Sequence, residues 1–131
     1  MKTAHFNYLE LSPGNVLPFL RMTIGAFEEI SVIALVDSGA SVSLLPYSVG
    51  QALGFDWDTT ETGPPITGTV QSESRMVKAK VTVGSLDTVE LSFCWIKHDN
   101  ARLLLGHNDF FAHFTVCFLT RERKSSLFQE I

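Results

Sequence analysis

Apolar and polar residues alternate along several segments of the chain, and turn-forming residues separate these segments. The clearest case lies within residues 75–83, where Val77, Ala79, Val81 and Val83 alternate with Lys78, Lys80 and Thr82. A period of two places one set of side chains on a buried face of a strand and the other set in water. Residues 19–24 alternate in the same way, so both segments are predicted to be half-buried strands.

Further apolar runs predict more strands and two short helical segments. Strands are expected over residues 30–36, 66–70, 89–96, 102–106, 114–119 and 126–128, with a hairpin loop at residues 71–74. Residues 46–53 are predicted to be helical, because proline is tolerated at the first position of a helix and Gly54 would end it. Residues 108–114 are predicted to form a second helix with Asn108 as its N-cap.

The composition fits one folded domain spanning residues 1–131. Hydrophobic residues make up 45% of the chain and charged residues 18%, which allows a sizeable core. The formal net charge of -4 argues against nucleic acid as a partner, since affinity for phosphates needs clustered basic residues. The chain has no signal-peptide-like start and no apolar stretch that could span a bilayer. No membrane partner and a cytoplasmic location are therefore expected.

Histidine and cysteine spacings give no indication of a metal site. The four histidines fit no zinc pattern: His5, His98, His107 and His113. Cys94 and Cys117 lie within apolar runs and outside any metal-ligand spacing, so both thiols are expected to be buried as small hydrophobic groups. Neither a metal nor a cofactor is predicted.

A carboxylate at the end of an apolar strand is the main chemical feature of the sequence. Asp37 directly follows an apolar run that ends at Val36, and a carboxylate in such a place is costly to bury without partners. Ser38 can form hydrogen bonds, and Gly39 allows the backbone to turn and approach closely. An Asp-Ser-Gly turn that merely closes a hairpin is the plain alternative. The return to apolar residues over 40–45 predicts instead that the turn is sunk into the protein.

Residues 34–41, Ala-Leu-Val-Asp-Ser-Gly-Ala-Ser, resemble the active-site motif of retropepsin-like aspartic proteases. A second landmark of that family, an apolar pair plus glycine before a short helix, is similar to Leu104-Leu105-Gly106 with residues 108–113 after it. Residues 66–83, with Gly68 near the bend, lie where the family has its flap hairpin. The resemblance covers residues 16–128 and implies an all-β half-barrel with a flap hairpin and one or two short helices.

The resemblance also implies a set of site residues. The catalytic group would consist of Asp37, Ser38 and Gly39. The substrate-binding residues would be Ala40 and the flap residues Ile66, Thr67, Gly68, Thr69 and Val70. Ser38 replaces the threonine that is commoner in the family, and the C-terminal strand that joins viral dimers has no obvious counterpart here. The geometry of a dimer is therefore left open.

The chain contains one Asp-Ser-Gly element, whereas hydrolysis by this route needs two carboxylates that share a proton and activate one water. The second Asp37 is therefore expected from a second chain across a two-fold axis. The sequence thus predicts a homodimeric aspartic endopeptidase with a peptide or protein substrate. A catalytically weak or inactive dimerisation or peptide-binding module with the same fold is the alternative.

Overall fold

The computed structural model describes residues 1–68 and 71–130. Within these residues the chain forms eleven β-strands and two short α-helices. The helices are α1 (Tyr47–Ala52) and α2 (Phe110–His113). The strands are β1 (Lys2–Asn7), β2 (Leu9–Ser12), β3 (Asn15–Leu17), β4 (Phe19–Gly25), β5 (Glu29–Val36), β6 (Leu44–Leu45), β7 (Ser74–Thr82), β8 (Val89–Ile96), β9 (Leu104–Leu105), β10 (Thr115–Leu119) and β11 (Lys124–Gln129). The all-β prediction with one or two short helices is confirmed.

Six of the strands close into a barrel in the order β4-β5-β9-β6-β8-β7. The alternation predicted for β7 is confirmed, because Val77, Ala79 and Val81 are buried while the lysines between them are exposed. β8 pairs with β7 along its length and supplies Phe93 and Trp95, both fully buried, to the core. Apolar burial of this size is the main source of the barrel's stability.

Helix α1 is held against the barrel by the indole of Trp95. The indole Nε1–H donates to the carbonyl oxygen of Tyr47 at 3.0 Å, and the Tyr47 ring stacks on Trp95 with centroids 5.6 Å apart. Gly50 faces the same indole, and a Cβ at this position would lie 2.1 Å from Nε1. Only glycine allows the helix to approach so closely. Residues 46–53 were predicted to be helical, and α1 confirms this.

A separate three-stranded antiparallel sheet, in the order β1-β11-β10, joins the two ends of the described chain. Gln129 ties this sheet to the barrel: its side-chain amide accepts from the Asp87 backbone N–H at 2.8 Å and donates to the Asp87 carbonyl at 3.0 Å. The two closing strands were predicted, although β11 is longer than residues 126–128. Strand β1 was not predicted, because its pairing depends on β11 at the other end of the chain.

Two local predictions are wrong. Helix α2 is shorter than residues 108–114 and its N-cap position is Asp109, because the backbone of Asn108 bonds to Ser41 and Ser43 instead. Asp109 does not cap α2 with its side chain, which accepts from the Ser92 N–H at 3.0 Å. Cys117 is exposed while Cys94 is buried, since β10 is an edge strand with one face in water.

Candidate active site

Backbone pairing between two strands fixes the position of Asp37. β5 runs parallel to β9, with Leu35 opposite Leu104 and Val36 opposite Leu105. The Asp37 N–H continues this ladder by donating to the Leu105 carbonyl at 3.0 Å. The carboxylate therefore projects from the end of a strand whose backbone is anchored in the barrel, which is a rigid support for a chemical group.

The Asp-Ser-Gly turn is closed by hydrogen bonds to Asp37. The Gly39 N–H donates to Asp37 Oδ1 at 2.9 Å, and the Ala40 N–H donates to the Asp37 carbonyl at 3.1 Å. Contrary to the sequence-based expectation, the turn is not sunk into the protein. Asp37 is partly buried, and Ser38 and Gly39 are exposed, because the chain leaves the barrel at the end of β5.

The segment after β9 is packed tightly against the residues that follow the turn. His107 N–H donates to the Ala40 carbonyl at 2.9 Å, and Gly106 N–H donates to the buried Ser43 hydroxyl at 3.0 Å. A Cβ on Gly106 would lie 2.4 Å from the Val42 carbonyl oxygen. Gly106 therefore allows the two segments to meet, and Ser43 is a structural hydrogen-bonding residue.

His107 makes a second contact with the turn, through its side chain. Its Nε2 lies 2.7 Å from the Ser38 carbonyl oxygen, and because a carbonyl only accepts, Nε2 must carry the proton. The imidazole also stacks on Phe111 with ring centroids 4.8 Å apart. Nothing in the sequence around His107 indicated this role, since the two residues are far apart along the chain.

A cavity of about 450 Å³ opens beside Asp37 and brings several predicted site residues together. Asp37, Ile66 and Thr67 line it. Ala40 and Gly68 do not line it, and Thr69 and Val70 lie outside the described residues. The other lining residues are Leu44, Asn100, Ala101, Arg102 and Leu104; sequence reasoning did not assign Asn100 or Arg102 to the site.

The predicted flap is present as antiparallel backbone pairing of residues 62 and 66 with residues 75 and 72. Ile66 and Ser72 exchange backbone hydrogen bonds of 3.0 and 3.1 Å, and Thr62 bridges to Arg75. Of the strand expected over residues 66–70, residues 69 and 70 lie outside the described part of the chain, and the described residues form one bridge, at Ile66. β7 already begins at Ser74, within the expected loop. The backbone of Gly68 has a φ of +123°, a conformation that glycine adopts readily.

The described residues, 1–68 and 71–130, contain no group of three or more His, Cys, Asp or Glu side chains placed to hold a metal ion. Over the same part of the chain, no helix has the length and apolar character needed to cross a membrane.

The fold of this chain is similar to that of solved retropepsin-like proteases. The chain is similar to a retropepsin-like aspartic protease from Rickettsia conorii, with a TM-score of 0.65 and 18% identity over 96% of this chain and 91% of that one. The retroviral protease-like domain of Ddi1 from Leishmania major has a TM-score of 0.59 and 16% identity, over 80% of this chain and 84% of that one. The EIAV protease, solved with the inhibitor HBY-793, has a TM-score of 0.54 and 17% identity, over 77% of this chain and 90% of that one.

The sequence also matches a defined protein family. Residues 24–113, more than half of the chain, match the family described as "gag-polyprotein putative aspartyl protease". The chain belongs to this family. The turn at Asp37 and the segment of Leu104, Leu105 and Gly106 both lie within the matched residues. None of the curated proteins matches the sequence.

Proposed function

We propose that the chain is an aspartic endopeptidase that acts as a homodimer on peptide or protein substrates. The observation that carries this proposal is the Asp37 carboxylate at the end of an anchored strand, partly exposed beside a cavity that the flap also lines. Each chain supplies one such Asp-Ser-Gly carboxylate. The single domain over residues 1–131 is then half of an enzyme, and its substrate would bind where two copies meet.

Two Asp37 carboxylates brought together across a two-fold axis would divide the chemistry between them. Like charges a few ångströms apart cannot both ionise, so one carboxyl group keeps its proton and the other is a base. The base takes a proton from a water whose oxygen attacks the peptide carbonyl carbon, and the acid donates its proton to the carbonyl oxygen, which gives a gem-diol. The gem-diol then collapses: the C–N bond breaks, the amine leaves with the proton that the base took up, and the other carboxylate regains its proton from a gem-diol hydroxyl. The Gly39 N–H holds Oδ1 of Asp37, which orients the carboxylate for this exchange.

The exposure of the turn supports its role as the meeting point of two chains. Ser38 and Gly39 are open to solvent in the single chain, so a partner's turn has room to approach. In the dimer the Ser38 hydroxyl would bond across the two-fold axis. Ala40, Ile66, Thr67 and Gly68 would contact the substrate backbone, and the same role stays a prediction for Thr69 and Val70.

Hydrolysis that needs two chains makes a specific kinetic prediction. With an unfolded protein as substrate at mildly acid pH, the initial rate should rise with the square of the protein concentration below the dimer dissociation constant and linearly above it. Mass spectrometry of the products gives the rate, and light scattering gives the oligomeric state. A rate proportional to concentration in a monomeric sample would contradict the half-site mechanism. A stable dimer without cleavage at any pH would favour the binding-module alternative.

The contact between His107 and Ser38 predicts a role in positioning the turn. His107→Ala should lower kcat/KM by roughly five- to tenfold, because one hydrogen bond that fixes the Ser38 carbonyl is lost. His107→Gln keeps a donor and should recover part of the activity. The thermal midpoint and dimer dissociation constant should change little.

The matched control is His113→Ala, which removes an exposed histidine from the end of α2 and should leave kcat/KM unchanged. Equal losses in the His107 and His113 variants, or no rescue by glutamine, would show that His107 does not position the turn.

A further inference from the structure

The cavity beside Asp37 contains one positively charged side chain. Among its lining residues only Asp37 and Arg102 carry a formal charge, and the rest are apolar or neutral polar residues. A basic group is notable there because the whole chain carries a net charge of -4. A larger groove of about 680 Å³, lined by a different set of residues, also has one arginine, Arg21, and lacks any acidic residue in its lining.

The Arg102 side chain is exposed, and its guanidinium lies over an aromatic ring while its donors are unused. The Cζ atom lies 5.0 Å from the centroid of the Phe19 ring, which is itself only 4% exposed and so presents a fixed face. Within residues 1–68 and 71–130, the ion pair formed is between Lys2 and Asp87 and does not include Arg102, and no side-chain hydrogen bond involves Arg102. Its five N–H groups are therefore available to a ligand.

We propose that Arg102 is a specificity residue of the cleft and selects substrates with an Asp or Glu side chain within about three residues of the scissile bond. This proposal rests on the proposed function, since it assumes that the cavity is the substrate cleft. A planar guanidinium binds a carboxylate through two parallel N–H···O bonds. Asn100, which also lines the cavity, can add an amide donor to the same carboxylate.

Two-fold symmetry extends this preference to both sides of the cleaved bond. Each chain of the dimer would place one Arg102 in the shared cleft, on opposite sides of the pair of Asp37 carboxylates. A peptide with one acidic residue on each side would then meet both guanidinium groups. A peptide with lysine at these positions would meet like charge, which disfavours binding.

The test uses three peptides of identical length that differ only at the positions flanking the cleaved bond, with Glu, Gln or Lys there. Both ends are blocked, so a side chain is the only source of a carboxylate and terminal recognition is excluded. Wild type should cleave the Glu peptide about tenfold faster, in kcat/KM, than the Gln peptide, and the Lys peptide more slowly still. Arg102→Ala should remove the difference between Glu and Gln, and Arg102→Glu should reverse the order. Arg21→Ala, the matched control in the other groove, should keep the wild-type order.

Binding of the same peptides to Asp37→Asn protein, followed by fluorescence anisotropy, separates the two proposals. If the Glu peptide binds more tightly than the other two and Arg102→Ala abolishes this preference, the role of Arg102 is supported. This result would hold even if no variant hydrolyses any peptide and the proposed function fails. Cleavage or binding without a charge preference overturns the role of Arg102 while leaving the protease proposal intact. An equal loss for all three peptides in Arg102→Ala also overturns it, since a selecting residue must discriminate between them.

Discussion

Asp37→Asn will reduce peptide cleavage by at least about 1,000-fold while the chain still folds and dimerises. The amide of asparagine has nearly the shape of the carboxylate and keeps an oxygen that can accept from the Gly39 N–H, as Oδ1 does at 2.9 Å. It cannot take a proton from water, so both the base and the shared proton are lost. Replacing the pair, which shares one proton and so carries one negative charge, by two neutral amides should leave the dimer as stable as before, or more stable.

The measurement is kcat/KM on an unfolded protein substrate at mildly acid pH, together with the thermal midpoint and the molecular mass in solution. Asp58→Asn is the matched control, because it makes the same chemical change at an exposed residue outside the cavity at Asp37. That variant should keep its activity within about twofold of wild type. If the rate of the Asp37→Asn protein stays within tenfold of that of wild type, Asp37 does not take part in the reaction.

Gly106→Ala should lower the free energy of unfolding by about 3 kcal/mol and abolish most activity. The added Cβ would lie 2.4 Å from the Val42 carbonyl oxygen and 2.7 Å from that of Ala40. Both contacts are with backbone, which cannot rotate away as a side chain can. The segment after β9 would have to move away from residues 40–43, and the hydrogen bonds from Gly106 to Ser43 and from His107 to Ala40 would lengthen or break.

Urea denaturation measures this loss, and Gly25→Ala is the control. A Cβ at Gly25 would meet the nearest atoms of Glu29 at 3.6 Å, an ordinary contact, and the backbone there does not need glycine. The control should change stability by less than about 1 kcal/mol. A loss of similar size in both variants, or a loss below about 1 kcal/mol for Gly106→Ala, would show that the close approach is not needed.

Local sequence features were sufficient to predict the main parts of the barrel and the candidate carboxylate. The alternation of β7 and the apolar run before Asp37 are local patterns, so they predict strands without knowledge of the partner strands. The Asp-Ser-Gly turn and the glycine after Leu105 could be identified as a pair only through the resemblance to known proteases. That resemblance did not specify the register of the flap at Ile66.

Contacts between distant segments account for what the sequence did not predict. His107 bonds to Ser38, and Arg102 lies beside the same cavity as Asp37, because β9 pairs with β5. No local pattern marks either residue. Cys117 was predicted to be buried because its neighbours are apolar, but an edge strand leaves one face in water. The strand β1 likewise depends on its partner β11 at the other end of the chain.

A subunit-mixing experiment tests the central claim, that one active site needs an Asp37 from each of two chains. Wild-type protein is equilibrated with about a ninefold excess of Asp37→Asn protein, at concentrations where light scattering shows dimers and with substrate in excess. Random pairing would place nearly all wild-type chains in mixed dimers with one carboxylate, so activity should fall to about one tenth of that of wild type alone. Activity that is unchanged by the excess of variant, under conditions where the two proteins exchange partners, would contradict the shared site.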